Sequence, residues 1–115
     1  MKIHEMKLLK EPFTEIEAGR KSIEMRLYDE KRKGIAEGDK ILFVCPELSG
    51  RSISALVRGV YIYEDFFSLA ESYVSRELGF DGASAEYIGR YMMGIYSEEM
   101  VKNYGVCAIL LEIQK

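Results

Sequence analysis

The order of patterned segments along the chain constrains its fold most. One strand pattern is followed by a short helix, three more strand patterns, a set of helices and a last strand. Four strands thus lie close together in sequence, and a fifth returns from the far end. This order predicts an α+β fold: a small mixed or antiparallel β-barrel of about five to six strands with helices packed at its ends. Regular βαβ alternation and a glycine-rich phosphate loop are both missing from the sequence, which argues against a doubly wound nucleotide-binding fold.

The clearest strand pattern covers residues 22–27, where apolar and polar residues alternate strictly. Such alternation predicts a half-buried strand. Its predicted core side carries Ile23, Met25 and Leu27, and its other side carries Ser22, Glu24 and Arg26. A longer strand is predicted over residues 51–63, with a bulge near Gly59 where the alternation changes.

Helix boundaries follow from capping residues. Pro12 fits the first position of a short helix, and Gly19 fits its end. Three further helices are predicted to begin after the caps Asp65, Ser84 and Ser97. The first of these carries an apolar stripe that runs to Val74, and the second carries one that runs to Ile95.

Length and composition indicate one globular domain over residues 1–115. Hydrophobic residues make up 48% of the chain, enough for a single packed core without staples. Cys45 and Cys107 lie far apart inside apolar runs, so buried thiols are expected rather than a disulfide. With one histidine and two separated cysteines, a zinc site of the Cys/His type is excluded, and no metal or cofactor is expected.

The charge is unevenly distributed. The net charge is −3, but residues 20–33 contain six basic residues against three acidic ones. An acidic body with one basic segment indicates a local anion site rather than a generally basic nucleic-acid binder. For Lys31–Lys33 a solvated loop is the alternative. No membrane-length apolar stretch and no signal-peptide core is present in the sequence, so a cytoplasmic protein is expected.

Three segments carry a family resemblance. Residues 19–26 read GRKSIEMR, residues 35–43 read IAEGDKILF, and residues 104–109 read YGVCAI. The first two resemble the G-x-K-x-x-E-x-R strand and the I-x-x-G-D-x-I-x-F turn and strand of the ASCH domain family. The third is similar to the last strand of that family, so the resemblance covers nearly the whole chain in the expected order.

The resemblance implies a PUA-like β-barrel, a single ASCH domain, with a cleft beside the barrel. It also implies binding of RNA or of a nucleotide-like ligand such as a modified nucleoside. Carried over by position, Lys21, Glu24 and Arg26 would be cleft residues, while Gly38 and Asp39 would form a structural turn. A monomer is expected.

These residue types suit such a ligand. Arg26 offers a planar fork of donors for a phosphate or a pair of carbonyls, and Lys21 offers a point charge. Glu24 would orient Arg26 or accept a base amino group. Arg20 is a further ligand-binding candidate from the basic segment, and Tyr96 is a candidate stacking platform. The alternative for Glu24 and Arg26 is an exposed ion pair of little energetic weight.

An enzyme is the alternative function. A bacterial acetylcytidine amidohydrolase of the same superfamily uses a lysine, a threonine and a glutamate. Its lysine lies in a similar G-R-K segment and matches Lys21, but Glu24 stands where its threonine would be. The catalytic candidates at this place are then Glu24 itself or Ser22, with Ser22 as the possible nucleophile and Lys21 as its base. Glu77, placed near the end of the Asp65 helix, is the candidate third member.

Overall fold

A single β-sheet forms the centre of the fold. The computed structural model describes residues 1–114, in which five strands form one sheet: β1 (Ile3–Lys7), β2 (Ile23–Leu27), β3 (Lys40–Cys45), β4 (Arg51–Tyr63) and β5 (Val106–Gln114). Their spatial order is β1-β3-β4-β5-β2. The β1–β3 pair is parallel and the other pairs are antiparallel. The predicted α+β fold with a curled, mixed sheet is confirmed.

The described part of the chain also forms five helices: α1 (Lys10–Glu17), α2 (Glu30–Lys33), α3 (Phe66–Glu71), α4 (Ala85–Met93) and α5 (Glu98–Tyr104). A short 3₁₀ turn covers Pro46–Leu48. The three predicted caps are confirmed, because each accepts a hydrogen bond from the backbone N–H three residues later: Asp65, Ser84 and Ser97.

Two helix starts differ from the prediction. Helix α1 begins at Lys10, two residues before Pro12, because the Glu47 carboxylate accepts the backbone N–H of Lys10 at 3.0 Å and satisfies that terminus from a distant loop. Helix α2 was not predicted. It is one turn long, and its cap Asp29 accepts the N–H of Arg32 at 3.3 Å.

Two helices are also shorter than their apolar stripes suggest. Helix α3 ends at Glu71, where the N–H of Ser72 closes a tight turn on the Leu69 carbonyl. Val74, at 62% exposure, therefore falls outside the helix and outside the core. Ile95 likewise lies beyond the end of α4 and is exposed.

The sheet packs on both faces. Alternate residues of β5 enter two different cores: Cys107 and Ile109 pack with α1, β1, β3 and β4, whereas Val106 and Ala108 pack with β2 and helices α3–α5. In β4, the register shifts between Val57 and Gly59, which confirms the predicted bulge. Cys45 and Cys107 are both buried free thiols, as predicted.

Strand β2 is buried on both faces, so the half-buried prediction is wrong. Its apolar residues pack against the helices, and Glu24 on the other face is only 4% exposed. The polar residues of this strand are enclosed because the sheet curls until its edge strands, β1 and β2, approach each other. Within residues 1–114 no backbone ladder joins these two edges.

Candidate functional site

Three charged side chains meet at the start of β2. Glu24 bridges two cations: its Oε1 lies 3.0 Å from Lys21 Nζ, and its Oε2 lies 2.7 Å from Arg26 Nε. The exposed fractions of the side chains are 7% for Lys21, 6% for Glu24 and 15% for Arg26. We call these three residues the β2 charge cluster. With two cations and one carboxylate, these largely buried side chains carry a net charge of about +1.

The loop before β2 positions Lys21. The backbone turns at Gly19 with a φ of +82°, and the N–H groups of Arg20 and Lys21 both donate to the Glu15 carbonyl. Lys21 thus precedes the regular strand, which begins at Ile23. Strict strand alternation would have placed Lys21 and Glu24 on opposite faces, and this turn brings them together instead.

A second loop, residues 75–79, completes the enclosure of Lys21. The Nζ of Lys21 donates to the Leu78 carbonyl at 3.2 Å. Its aliphatic stem crosses Gly79, where an added Cβ would lie 2.9 Å from Lys21 Cδ. Gly79 has a φ of +88°, so both its backbone conformation and the close approach of Lys21 require glycine.

The cluster is strongly coupled electrostatically. Burial by itself would raise the pKa of Glu24, but the charges of Lys21 and Arg26 and their hydrogen bonds outweigh it and hold that pKa below its ordinary value. Burial by itself would lower the pKa of Arg26. The charge of the Glu24 carboxylate and its hydrogen bond outweigh burial, so the pKa of Arg26 is raised. The ion pair between Glu24 and Arg26 is present, but the expectation that it is exposed is wrong, because both side chains are largely buried.

Arg26 also reaches across the sheet opening. Its Nη2 donates to the main-chain carbonyl of Lys7 at 3.2 Å. Lys7 is the last residue of β1, so the contact links the two edge strands. Of the three cluster side chains, Arg26 is the most exposed, and the cluster meets solvent at this seam.

Ser22 and Glu77 form a neighbouring pair. The Ser22 hydroxyl donates to Glu77 Oε2 at 3.4 Å, and the Glu77 carbonyl accepts the N–H groups of Ser22 and Ile23 at 2.9 and 3.0 Å. Glu77 lies in the turn between α3 and α4 rather than at the end of a helix, because α3 stops at Glu71. Among the hydrogen bonds of residues 1–114, none joins Lys21 Nζ to Ser22.

Within residues 1–114 the other two candidates, Arg20 and Tyr96, make no hydrogen bond to the cluster. Arg20 is exposed, and its Nε donates to Glu15 at 2.9 Å. Tyr96 is half-buried and stacks on Phe66 with 5.5 Å between ring centroids, so one of its faces is covered. Burial raises the pKa of Tyr96, against the opposing charges of Arg26 and Arg32.

Arg32 is a residue that the sequence analysis did not single out. It follows the end of β2 by one turn of helix, and its side chain is only 16% exposed. Its Nη1 donates to both carboxylate oxygens of Asp29, at 3.3 and 3.1 Å. The one sequence signal was Asp29, a helix cap three residues earlier that can hold an arginine in the same turn.

Asp39 anchors the turn before β3. Its carboxylate accepts hydrogen bonds from His4 Nε2 at 2.9 Å and from the backbone N–H groups of Lys2 and Ala36 at 3.0 and 3.1 Å. These hydrogen bonds hold the pKa of Asp39 well below its ordinary value, and the one from His4 has the largest effect. Gly38, with a φ of +93°, supplies the turn. This arrangement fixes the start of β1 and leaves His4 in a structural role.

Two shallow grooves lie away from the cluster. One, of about 370 Å³, runs between the end of β4 and α5, and the other, of about 340 Å³, lies beside Tyr28 and the β4 bulge. Lys21, Glu24 and Arg26 line neither groove. Within residues 1–114, acidic, histidine and cysteine side chains form no group suited to a metal ion. The helices in that part of the chain are all too short or too polar to cross a membrane.

Comparisons with known proteins identify the family. The model of the ASCH domain matches residues 6–114. Two solved structures are similar over almost the whole chain. The crystal structure of hypothetical protein PH0355 is 37% identical, with 99% of this chain and 100% of that chain covered and a TM-score of 0.86. The solution NMR structure of protein PF0455 from Pyrococcus furiosus is 34% identical, with 98% of each chain covered and a TM-score of 0.74.

The comparison with curated proteins gives no match. The family and the fold agree, since a curled five-stranded sheet with flanking helices is consistent with the PUA-like fold. Membership supports, in general terms, an RNA-binding or nucleotide-related function. The match over residues 6–114 and the two similar structures show that the chain belongs to the ASCH domain family.

Proposed function

We propose that the protein is a binding module that holds RNA or a modified nucleoside at the β2 charge cluster. The observation that carries this proposal is the convergence of Lys21, Glu24 and Arg26 in one buried, hydrogen-bonded chain with one uncompensated positive charge. Buried charge without a partner is costly. An anionic phosphate at this position would complete the charge balance, and an electron-rich base carbonyl would accept hydrogen bonds from the two cations.

The seam between β1 and β2 gives such a ligand its approach. The Arg26–Lys7 contact there is made by a side chain, so widening the seam would break no backbone ladder within residues 1–114. Arg26 retains guanidinium donors beyond those used by Glu24 and Lys7. Arg20 and Tyr96 belong to the proposed site as outlying ligand contacts: Arg20 after release from Glu15, and Tyr96 by its uncovered face.

The first test is a titration of isotope-labelled wild-type protein followed by amide chemical shifts. The probes are a short single-stranded RNA, cytidine and N4-acetylcytidine. The expected result is saturable chemical-shift changes at Lys21, Glu24 and Arg26. Little change is expected at Tyr61, which lines the groove beside Tyr28 and the β4 bulge. Shifts confined to either groove, or none with any probe, would overturn the proposal.

A second test uses variants. Lys21→Met and Arg26→Met are expected to weaken binding by about 10-fold or more, since each removes a charge-assisted contact. Arg90→Met removes an exposed arginine paired with Glu86 and is the matched control. Circular dichroism verifies that each variant is folded, and Lys21→Gln, which removes the charge but keeps a polar side chain, replaces Lys21→Met if that variant unfolds. Equal affinity in the cluster variants and the control would contradict the proposal.

The Ser22–Glu77 pair supports an amidohydrolase as the second candidate function. The Ser22 oxygen would attack the acyl carbonyl of an N-acylated cytidine while Glu77 accepts its proton. The carbon–nitrogen bond then breaks, the amine leaves with that proton, and water hydrolyses the serine ester. Glu24 is unsuited to replace the missing threonine, because both of its oxygens are held by cations.

Acetate release from N4-acetylcytidine decides between the two functions. An enzyme would turn over this substrate, and Ser22→Ala and Glu77→Gln would abolish turnover while leaving the fold intact. For a binding module we expect thermal stabilisation by the ligand without acetate release. Arg90→Ala is the control in both assays.

A further inference from the structure

We propose that the second half of β4 binds an extended peptide, which adds a strand to the sheet. The site is the side of residues 59–63 that faces away from β5, and we call it the open β4 edge. The peptide carries alternating apolar side chains and one basic side chain. This interaction is independent of the β2 charge cluster and uses the groove of about 340 Å³ beside Tyr28.

The edge is open because β4 is much longer than its neighbour β3. Strand β4 has 13 residues and β3 has 6. The β3 ladder runs as far as the Lys40–Leu56 pair, and the N–H of Val57 then donates to the Asp39 carbonyl. From Gly59 onward, β5 is the one strand that pairs with β4 in the described part of the chain.

The hydrogen bonds of β5 show which of its residues face β4. The N–H of Leu111 donates to the Ser22 carbonyl, and the Gly105 carbonyl accepts from the N–H of Tyr28. Both contacts lie on the β2 side, so the odd-numbered residues of β5 face β2. Because successive residues of a strand face opposite neighbours, the even-numbered residues of β5 face β4.

Two residues of β4 consequently have backbone groups that point away from β5. Gly59, Tyr61 and Tyr63 lie opposite the even-numbered residues of β5 and pair with them. Val60 and Ile62, which lie between these three, direct their N–H and carbonyl groups to the open side. Within residues 1–114 these groups make no hydrogen bond to another loop or helix. Two donors and two acceptors at this spacing match the backbone of an added strand.

The composition of the edge favours strand addition. Residues 59–63 read GVYIY and contain no charged residue and no proline. Charged side chains and proline are two common means by which proteins protect an edge strand from pairing. The Ile62 side chain is 57% exposed, so an apolar side chain of an added strand would cover it.

The groove along the edge indicates the chemistry of the peptide. Val60, Ile62 and the buried Ile35 provide apolar contacts, and Tyr28 provides an aromatic one. Since the side chains of a strand alternate between its two faces, every second residue of the peptide would be apolar. This requirement defines a short, extended segment in which apolar residues alternate with polar ones.

Glu37 adds a requirement for positive charge. It lines the groove, is exposed, and forms no ion pair within residues 1–114. A lysine or arginine of the peptide would pair with its carboxylate, whereas the phosphates of a nucleic acid would be repelled. A second copy of this chain fits less well, because its residues 59–63 bring no basic side chain to Glu37.

Titration of isotope-labelled protein with two blocked hexapeptides, TVKVTV and TVEVTV, tests the proposal. TVKVTV is expected to cause saturable amide shift changes at Val60 and Ile62, with a Kd of about 1 mM or tighter. TVEVTV is expected to bind about 3-fold more weakly, because its carboxylate meets Glu37. Absence of saturable changes at these two amides with both peptides, up to about 5 mM, would overturn the proposal.

Two variants at Ile62 test the backbone contact. Ile62→Pro removes one outward N–H, and the fold is expected to tolerate it because this N–H is outside the β5 ladder. We expect it to weaken binding of TVKVTV by about 10-fold, since one backbone hydrogen bond is lost and proline restricts the edge. Ile62→Val keeps the N–H and an apolar side chain and is the matched control. Equal affinity in the two folded variants would overturn strand addition.

A charge reversal tests the chemistry of the peptide and does not depend on the folding of the proline variant. Glu37→Lys is expected to bind TVEVTV more tightly than TVKVTV, which reverses the wild-type preference. Glu71→Lys, an exposed position at the end of α3 outside the groove, is the control and should keep that preference. An unchanged preference in Glu37→Lys would overturn the requirement for a basic side chain.

Raising the protein concentration without peptide gives the last outcome. Amide shifts at Val60 and Ile62 that stay constant from about 0.05 to 1 mM protein agree with a site kept for a peptide. Shifts that change with concentration would assign the open β4 edge to a second copy of this chain and would overturn the peptide.

Discussion

The guanidinium of Arg26 donates from Nη2 to the main-chain carbonyl of Lys7, 3.2 Å away, and so joins the two edge strands of the sheet. The same side chain is held by Glu24 through Nε. A barrel is ordinarily closed by a ladder of backbone hydrogen bonds. In this protein a charged side chain spans the gap, so the closure of the sheet and the ligand binding that we propose would depend on one residue.

Replacing Arg26 by methionine is expected to lower the free energy of unfolding by about 3 kcal/mol, because it removes one partner of a buried ion pair. The amide of Leu8, which donates to the Val44 carbonyl, should then exchange its hydrogen faster as β1 loosens. Urea unfolding and amide exchange measure the two effects. In the control, Arg90→Met, a loss of about 0.5 kcal/mol or less is expected, and equal losses in both variants would contradict the role of Arg26.

The charge cluster makes stability sensitive to acid. Because the pKa of Glu24 in the folded protein lies below its ordinary value of 4.5, its stabilising contribution is complete above pH 4.5 and is lost as the pH falls through the folded-state pKa. Glu24→Gln removes this contribution at every pH. The difference in urea midpoint between wild type and this variant should therefore be largest near pH 7 and shrink toward pH 3. A difference that stays constant over this range would refute the assignment.

Gly79→Ala is expected to disturb Lys21 directly. Gly82 has a similar φ, +80° against +88° at Gly79, but a Cβ there meets none of the described atoms within 4 Å. Both substitutions strain the left-handed backbone, and only that at Gly79 also crowds the Lys21 stem. We expect Gly79→Ala to cost about 1–3 kcal/mol more than Gly82→Ala in urea unfolding. Equal costs would show that the contact with Lys21 carries no weight.

The thiol of Cys107 is expected to be unreactive in the folded state. Burial raises its pKa to about 12, and the neighbouring charges of Arg32 and Asp29 act on that pKa in opposite directions. In a Cys45→Ala background, where Cys107 is the remaining cysteine, alkylation by iodoacetamide at pH 8.5 should be about 100-fold slower in buffer than in denaturant. Fast labelling of the folded protein would show that the core around Cys107 opens readily.

Local chemistry made much of the fold predictable. The helix caps at Asp65, Ser84 and Ser97 were predicted from the type of residue before each apolar stripe, and the structure confirms them. The bulge near Gly59 was predicted from a change in the strand alternation and is also confirmed. The start of α1 depends instead on a carboxylate from Glu47, 37 residues away, and no local pattern contains it. The one-turn helix α2 is too short to show an apolar period.

The site was predictable in its residue types but less so in its surroundings. The positions of Lys21, Glu24 and Arg26 followed from the resemblance, and the turn at Gly19 explains how they meet. Their burial could not be predicted from the sequence. Alternation along a strand indicates which residues share a face, but it does not indicate whether a curled sheet encloses that face. Arg32 was missed for the same reason: its burial depends on where the end of β2 directs α2.

The alternation of β5 between two cores has a consequence for how the chain acquires its structure. Cys107 and Ile109 belong to one hydrophobic cluster while Val106 and Ala108 belong to the other, so both clusters are complete only when this strand has inserted. Productive folding must therefore wait for contacts between residues far apart in sequence, which slows it. Once β5 is in place both halves consolidate together, and the protein should unfold in a single all-or-none transition.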